Sequence, residues 1–209
     1  MWDEPVNAPA RASIIVGLLV VAVAIGVGLS TLVPTGADKP QQGARALVGG
    51  PFELTAHTGQ RMTDTDFRGR YMLIYFGFTY CPDVCPTELG KMGRALDMLA
   101  EQGVDTSPIQ PLFITVDPER DTPEAMARYV DLFHPDMIGL TGTPEEIAGA
   151  ARAYRVYYDR VVDDRSAVEY LMDHSSIIYL MDRDGLYLKH FTLTDTENSI
   201  AGALAPLLG

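Results

Sequence analysis

The stretch Met72-Leu73-Ile74-Tyr75-Phe76-Gly77-Phe78-Thr79-Tyr80-Cys81-Pro82-Asp83-Val84-Cys85-Pro86 decides the fold. Met72 to Phe76 is an unbroken apolar run, the mark of a strand buried on both faces. Pro86 follows the second cysteine at once, and proline suits the first turn of a helix. Beyond it Leu89, Met92, Leu96 and Leu99 recur at helical spacing. The pattern predicts a strand over 71–76 and a helix over 86–101, with the chain's only two cysteines on the loop between them. Free backbone N–H groups and the dipole at a helix N-terminus favour anions, so both thiol pKa values are expected to fall. Two thiolates on one short loop can close a disulfide or hold a soft metal ion. The spacing by itself leaves both open.

Working outward, the elements alternate. Phe52-Glu53-Leu54 and the turn at Thr58-Gly59 predict a short β-hairpin ahead of the first core strand, and Thr63–Asp66 reads as a cap or turn. After the cysteine helix comes a strand over 112–116. Thr122 then caps a helix with Pro123 at its first position. Ile138–Leu140 is a third strand, and Thr143-Pro144-Glu145-Glu146 opens a helix that runs to about Tyr154. Val156–Tyr158 is read as a short strand and 159–170 as a polar excursion. Strands over 176–181 and 187–191 are joined by the hairpin turn Asp182-Arg183-Asp184-Gly185. A last helix covers about 196–207. This order implies an α/β domain with a mixed central sheet. With a cysteine pair after an early core strand it is the thioredoxin-like arrangement, extended by the N-terminal β-hairpin.

The chain has 209 residues and a formal net charge of −12. No basic patch stands against that charge, so nucleic acid is excluded as an expected partner. Residues 1–13 form a polar tail. Ile14–Val33 is a mostly apolar stretch without a charge, and twenty residues at helical rise span about 30 Å, a bilayer core. It is expected to be a single transmembrane helix, longer than the apolar core of a cleaved signal. Residues 34–48, rich in Pro, Gly, Gln and Ala, read as a flexible tether. Residues 49–209 are the expected folded domain. Its redox chemistry places it outside the cytoplasm, so the expected setting is a bacterial inner membrane with the domain in the periplasm.

Cys81 and Cys85 stand one helical turn apart. Soft thiolates select copper(I), zinc or iron–sulfur over hard ions. Two cysteines are too few for a four-cysteine cluster, whereas two thiolates and one histidine suit copper(I). Four histidines compete for that place: His57, His134, His174 and His190. His174 precedes the strand over 176–181, where the entering loop of a thioredoxin-like sheet faces the cysteine loop. Its position alone leaves ligand and packing residue evenly matched; the other three read as ordinary surface or core residues. Thiol–disulfide oxidoreductases of this fold carry a proline in that loop. Here no proline lies between Pro144 and Pro206, which favours the metal over general disulfide exchange. A peroxidase would place Thr three residues before its reactive cysteine, and Phe78 and Pro82 stand there instead. Met72, Met92, Met98 and Met126 read as core, not as a methionine-rich copper site.

The stretch YFGFTYCPDVCPTEL over 75–89 resembles the Sco/SenC/PrrC family of copper-binding assembly factors for cytochrome c oxidase. FITVDPERDTP (113–123), LTGT (140–143), YRVY (154–157) and DHSSIIYLM (173–181) agree with it. The resemblance implies Cys81, Cys85 and His174 as metal ligands for copper(I), with copper(II) as a further state. It implies Asp117 as an acidic residue near that site, although a helix cap or an ion pair with Arg120 is the stronger account of it. The implied partners are the copper-bearing subunit of cytochrome c oxidase, other copper chaperones and thiol reductants. The implied role is a copper metallochaperone. The alternatives are a thiol–disulfide reductase, with Cys81 and Cys85 as its redox pair, and a redox sensor.

Overall fold

The computed structural model describes residues 48–162 and 169–209. The expected tail, the anchor over 14–33 and all but the last residue of the tether lie outside the described residues. Among the described residues no helix is long and apolar enough to cross a membrane.

The central sheet begins from the apolar run. Strand β3 (Tyr71–Gly77) is buried from Met72 onward, and strand β4 (Ile109–Thr115) is buried throughout. The two pair in parallel, Tyr75 opposite Phe113, and β4 pairs in parallel with β5 (Ile138–Thr141). Parallel strands covered on both faces read as continuous apolar runs, which is why no polar alternation marks them. Strands β8 (Ile178–Met181) and β9 (Tyr187–Phe191) add antiparallel to the other side of β3. The early hairpin, β1 (Glu53–Ala56) and β2 (Arg61–Thr63), closes the far edge through β5. A short 3-10 helix at Asp64–Phe67 follows it. The order β2-β1-β5-β4-β3-β8-β9 makes a mixed seven-stranded sheet of thioredoxin-like type with the hairpin as an extension.

Helix α1 (Val84–Glu101) starts two residues before Pro86, earlier than the proline suggests. Proline at the third helical position removes an N–H that would have had no partner there, so the helix forms through it. Its stripe Leu89, Met92, Leu96 and Leu99 is at most 2% exposed. Each such side chain contributes about 1.5–3 kcal/mol by leaving water. Helices α2 (Pro123–Val130) and α3 (Pro144–Ala153) start as the caps predict, with Thr122 and Thr143 hydroxyls each accepting an N–H at 3.3 Å.

The segment after α3 departs from expectation. Strand β6 lies at Tyr158–Val161, beyond the predicted 156–158, and pairs with β7 (Leu171–His174) in a separate two-stranded ribbon. Val156 is buried in the core instead. His174 therefore ends a strand and does not sit in the loop expected for it. The sequence hides this because β6 and β7 are mostly exposed or half-buried, and no apolar alternation marks them. Helix α4 (Glu197–Leu208) ends the chain and packs on α1.

Candidate metal centre

The site forms where β3 gives way to α1. Gly77 closes the strand, and a Cβ there would lie 2.7 Å from Cys85 Sγ, so the missing side chain makes room for the sulfur. The following loop is pinned from the side by Asp121, which is fully buried. The Thr79 N–H donates to its carboxylate at 3.0 Å, the Thr79 hydroxyl at 2.5 Å and the Thr115 hydroxyl at 2.6 Å. Burial pushes the Asp121 carboxyl pKa up against those three donors.

Cys81 is half-buried on the loop, and Cys85 is fully buried as the second residue of α1. Both are free thiols. Asp83 stands at the N-cap position, yet its side chain caps nothing. The sulfur of Cys81 takes over, accepting the Cys85 N–H at 3.3 Å. His174 stands across from them. Its Nδ1 lies 3.2 Å from the carbonyl of Ser175, which can only accept, so Nδ1 carries the proton and Nε2 keeps its lone pair. Nε2 is 3.4 Å from Cys85 Sγ. Tyr75 and Phe78 meet the imidazole edge-on, with centroids 6.0 and 5.8 Å away, and fix the ring plane. The Tyr75 hydroxyl, driven to a higher pKa by burial, remains a donor and points at Cys85 Sγ at 3.8 Å.

The electrostatics correct one expectation. The two thiols do not both acidify. A hydrogen bond from the Cys85 side chain, helped by the N–H groups of Cys85 and Asp83, lowers the Cys81 pKa to about 4 despite burial. The same hydrogen bond raises the Cys85 pKa, and burial and the neighbouring negative charge raise it further. Two sulfurs this close share one proton, and the outer sulfur holds the charge because the helix N-terminus and solvent both favour it there.

The three donor atoms of Cys81, Cys85 and His174 all lie within 4.8 Å of one another, the only such cluster among the described residues. Thiolate and imidazole ligands stand about 2.0–2.3 Å from an ion, so donors sharing one ion are at most about 4.6 Å apart. A slight contraction suffices for a shared ion. Two sulfurs and one imidazole suit a soft ion such as copper(I) and fall one donor short of a structural zinc site.

The other predicted residues lie elsewhere. His57 Nδ1 accepts the Gly139 N–H, His134 Nδ1 the Asp136 N–H, and His190 meets the Tyr187 hydroxyl. Asp117 is buried, and its carboxylate pairs with Arg120 and accepts the Tyr170 hydroxyl at 2.8 Å. The ion pair of Asp117 with Arg120 is the one the sequence suggested, but sequence reasoning missed Asp121, Gly77 and the hydroxyl of Tyr75. Only their spatial neighbours reveal them; Thr79 and Asp121 are 42 residues apart.

The family model described as SCO1/SenC matches residues 40–209. The human mitochondrial SCO1 homologue is 50% identical over 162 residues, covering 77% of this chain and 53% of that protein. A SCO2-like protein of Rickettsia felis is 40% identical over 201 residues, covering 91% and 95%. Among solved structures, copper-bound ScoI of Arabidopsis thaliana superposes with a TM-score of 0.70 at 43% identity, covering 76% of this chain and 96% of that one. Copper-bound ScoI of Bradyrhizobium japonicum gives 0.68 at 42%, covering 76% and 98%. On the family match and on these identities, the chain belongs to the SCO1/SenC family.

Proposed function

We propose that this protein is a copper metallochaperone that binds copper(I) through Cys81, Cys85 and His174 and delivers it to the copper-bearing subunit of cytochrome c oxidase. The observation that carries the reading is the convergence of two soft sulfurs and an imidazole nitrogen within 4.8 Å, both cysteines reduced. Copper is the cargo here. Cys85 lies at the floor of the site and Cys81 and His174 are half-buried at its rim, so an acceptor's ligands reach the ion from outside. A three-donor site also leaves room for one incoming ligand, which is what exchange between two proteins needs. Relatives solved with copper bound support the choice of ion. Copper(II) is a further state, and other copper chaperones and thiol reductants are the expected partners that load and reduce the site.

The decisive experiment is copper(I) competition against a chelator, with the full chain in reduced, oxidised and substituted forms. The reduced parent binds tightly. The Cys81–Cys85 disulfide removes two of three ligands and binds far more weakly, and either Cys→Ser variant loses tight binding. His174→Ala binds more weakly than the parent. Equal affinity in oxidised and reduced protein refutes the site.

The split of the two thiols favours a second reading, a thiol–disulfide reductase for the oxidase's copper-site cysteines. The Cys81 thiolate attacks one sulfur of the partner disulfide and releases the other as a thiolate. Cys85 then loses its proton and attacks Cys81 Sγ, closing the Cys81–Cys85 disulfide and freeing the partner's second thiolate. Two electrons pass to the partner. The same closure makes the site a redox sensor.

We also place the protein as a single-pass inner-membrane protein, anchored by residues 14–33 and with its domain in the periplasm. The length and lack of charge of that stretch support this. Fractionation with protease accessibility tests it, and a chain found soluble in the cytoplasm refutes it.

A further inference from the structure

We propose that Arg120 is the positioning residue that holds His174 at binding distance from the two cysteines. The proposal rests on the copper-site reading above. The donors arrive on two separate arms. The cysteines ride on the loop after β3, which belongs to the seven-stranded sheet. His174 rides on the β6–β7 ribbon, which is a sheet of its own. Among the described residues no backbone hydrogen bond joins that ribbon to the large sheet. Apart from the short chain links at its ends, side chains therefore set its position.

Arg120 touches both arms from the turn between β4 and α2. Its guanidinium carbon lies 4.7 Å from the ring centroid of Tyr80, the residue before Cys81. It lies 3.7 Å from the ring centroid of Tyr170, which leads into β7. Nη1 donates to the Tyr170 carbonyl at 3.0 Å. Nε pairs with Asp117, whose other oxygen accepts the Tyr170 hydroxyl. Arg160 of β6 lies over Tyr170 as well, 4.0 Å from its centroid, and pairs with Glu119 of the same turn. The next residue, Asp121, holds Thr79 of the cysteine arm. One short turn thus grips the cysteine loop with Asp121 and Tyr80 and the histidine ribbon with Tyr170.

The chemistry at Arg120 fits a spacer. Its Nη2 is buried and has no hydrogen-bond partner among the described residues, so part of the guanidinium serves by its plane against the two rings. A planar cation stacks on aromatic faces and bonds a carbonyl and a carboxylate at fixed angles; an ammonium does not. Residues that orient a metal ligand typically carry roughly tenfold to a hundredfold in metal affinity. Arg120 does so here without touching the ion.

The test uses the full chain as parent, Arg120→Ala, Arg120→Lys, His174→Ala and the Arg120→Ala/His174→Ala double variant. Copper(I) affinity is read by chelator competition, and the copper(II) form by electron paramagnetic resonance for nitrogen coupling. Arg120→Ala is expected to weaken copper(I) roughly tenfold to a hundredfold and to lose the nitrogen coupling. Arg120→Lys recovers only part of both. The double variant binds no more weakly than His174→Ala, because the histidine that Arg120 positions is already gone. Parent-like affinity and nitrogen coupling in Arg120→Ala, beside a weakened His174→Ala, overturn this proposal alone. So does a loss that adds in full to that of His174→Ala. A His174→Ala variant that binds like the parent overturns the site reading and this proposal with it. Should Arg120→Ala fail to fold by circular dichroism, Tyr80→Leu at its half-exposed position carries the test. It is expected to weaken copper(I) several-fold in the parent background and not in His174→Ala, and parent-like affinity overturns the proposal.

Discussion

Alkylation of the reduced, metal-free protein by iodoacetamide at a series of pH values tests the division of labour between the two sulfurs. The Cys81 pKa falls from its ordinary 9.0 to about 4. At pH 6 an ordinary thiol of pKa 9 is about 0.1% ionised, whereas Cys81 is about 99% ionised, so its thiolate fraction is about a thousandfold higher. Basicity and nucleophilicity fall together with a slope of about 0.4–0.5, so five pKa units cost about a hundredfold to three-hundredfold in intrinsic reactivity. Cys81 should therefore react at pH 6 only about 3–10 times faster than an ordinary, equally exposed thiol. The shape of the profile is the sharper sign. From pH 6 to 8 an ordinary thiol accelerates about tenfold per unit as its thiolate fraction grows. The Cys81 rate should be flat across that window, and half-burial lowers its height without changing its slope. Peptide mapping by mass spectrometry should find the first label on Cys81 and none on Cys85, whose thiol is buried and raised in pKa. A tenfold rise per pH unit, or first labelling at Cys85, refutes the shared-proton arrangement.

Copper(I) binding to the reduced protein at pH 7 should release about one proton, from Cys85, because Cys81 is already ionised; calorimetry in two buffers of different ionisation enthalpy counts it, and two protons would refute the ionised Cys81. The reduced, metal-free protein should gain stability as pH rises from 6 to 8. Folded Cys81 is deprotonated in that window while the unfolded thiol still holds its proton, so the unfolded state binds more protons. Urea melts of parent and Cys81→Ser should differ in slope with pH, and parallel curves would sink the claim. Gly77→Ala places a Cβ 2.7 Å from Cys85 Sγ and 3.0 Å from Tyr75 and Phe113. It should cost about 1–3 kcal/mol of stability by overpacking and weaken copper(I), as melts and chelator competition would show; unchanged values for both would mean that the sulfur is not seated on the glycine.

What was legible in the sequence follows physical range. Strand β3 and helix α1 were readable because apolar runs and helical stripes are local and strong. The caps at Thr122 and Thr143 were readable because a cap is made within four residues. Cys81, Cys85 and His174 were nominated by chemistry and by a family resemblance, and the fold brings them together. The ribbon β6–β7 was not placed, since its exposed residues carry no periodic signal. The Asp117–Arg120 ion pair was readable because it spans three residues, whereas Asp121 and the contacts of Arg120 with Tyr80 and Tyr170 were invisible because those partners, like Thr79, are distant in the chain. The shift of Cys85 was misjudged for a related reason. A helix dipole acts on each sulfur alone, whereas a proton shared between two sulfurs is a property of the pair.

The sulfur that begins α1 has a consequence of its own. Helices are ordinarily capped by a hydroxyl or a carboxylate, groups indifferent to oxidation and to soft metals. Here the cap is Cys81, and every event at the site changes that atom: a bond to Cys85, to an ion or to a partner's sulfur. The first turn of α1 is thereby an internal gauge of metal occupancy and oxidation state. Amide exchange at Cys85 can read it directly, and a docking protein that touches the start of that helix can tell an occupied site from an empty one without contacting the ion.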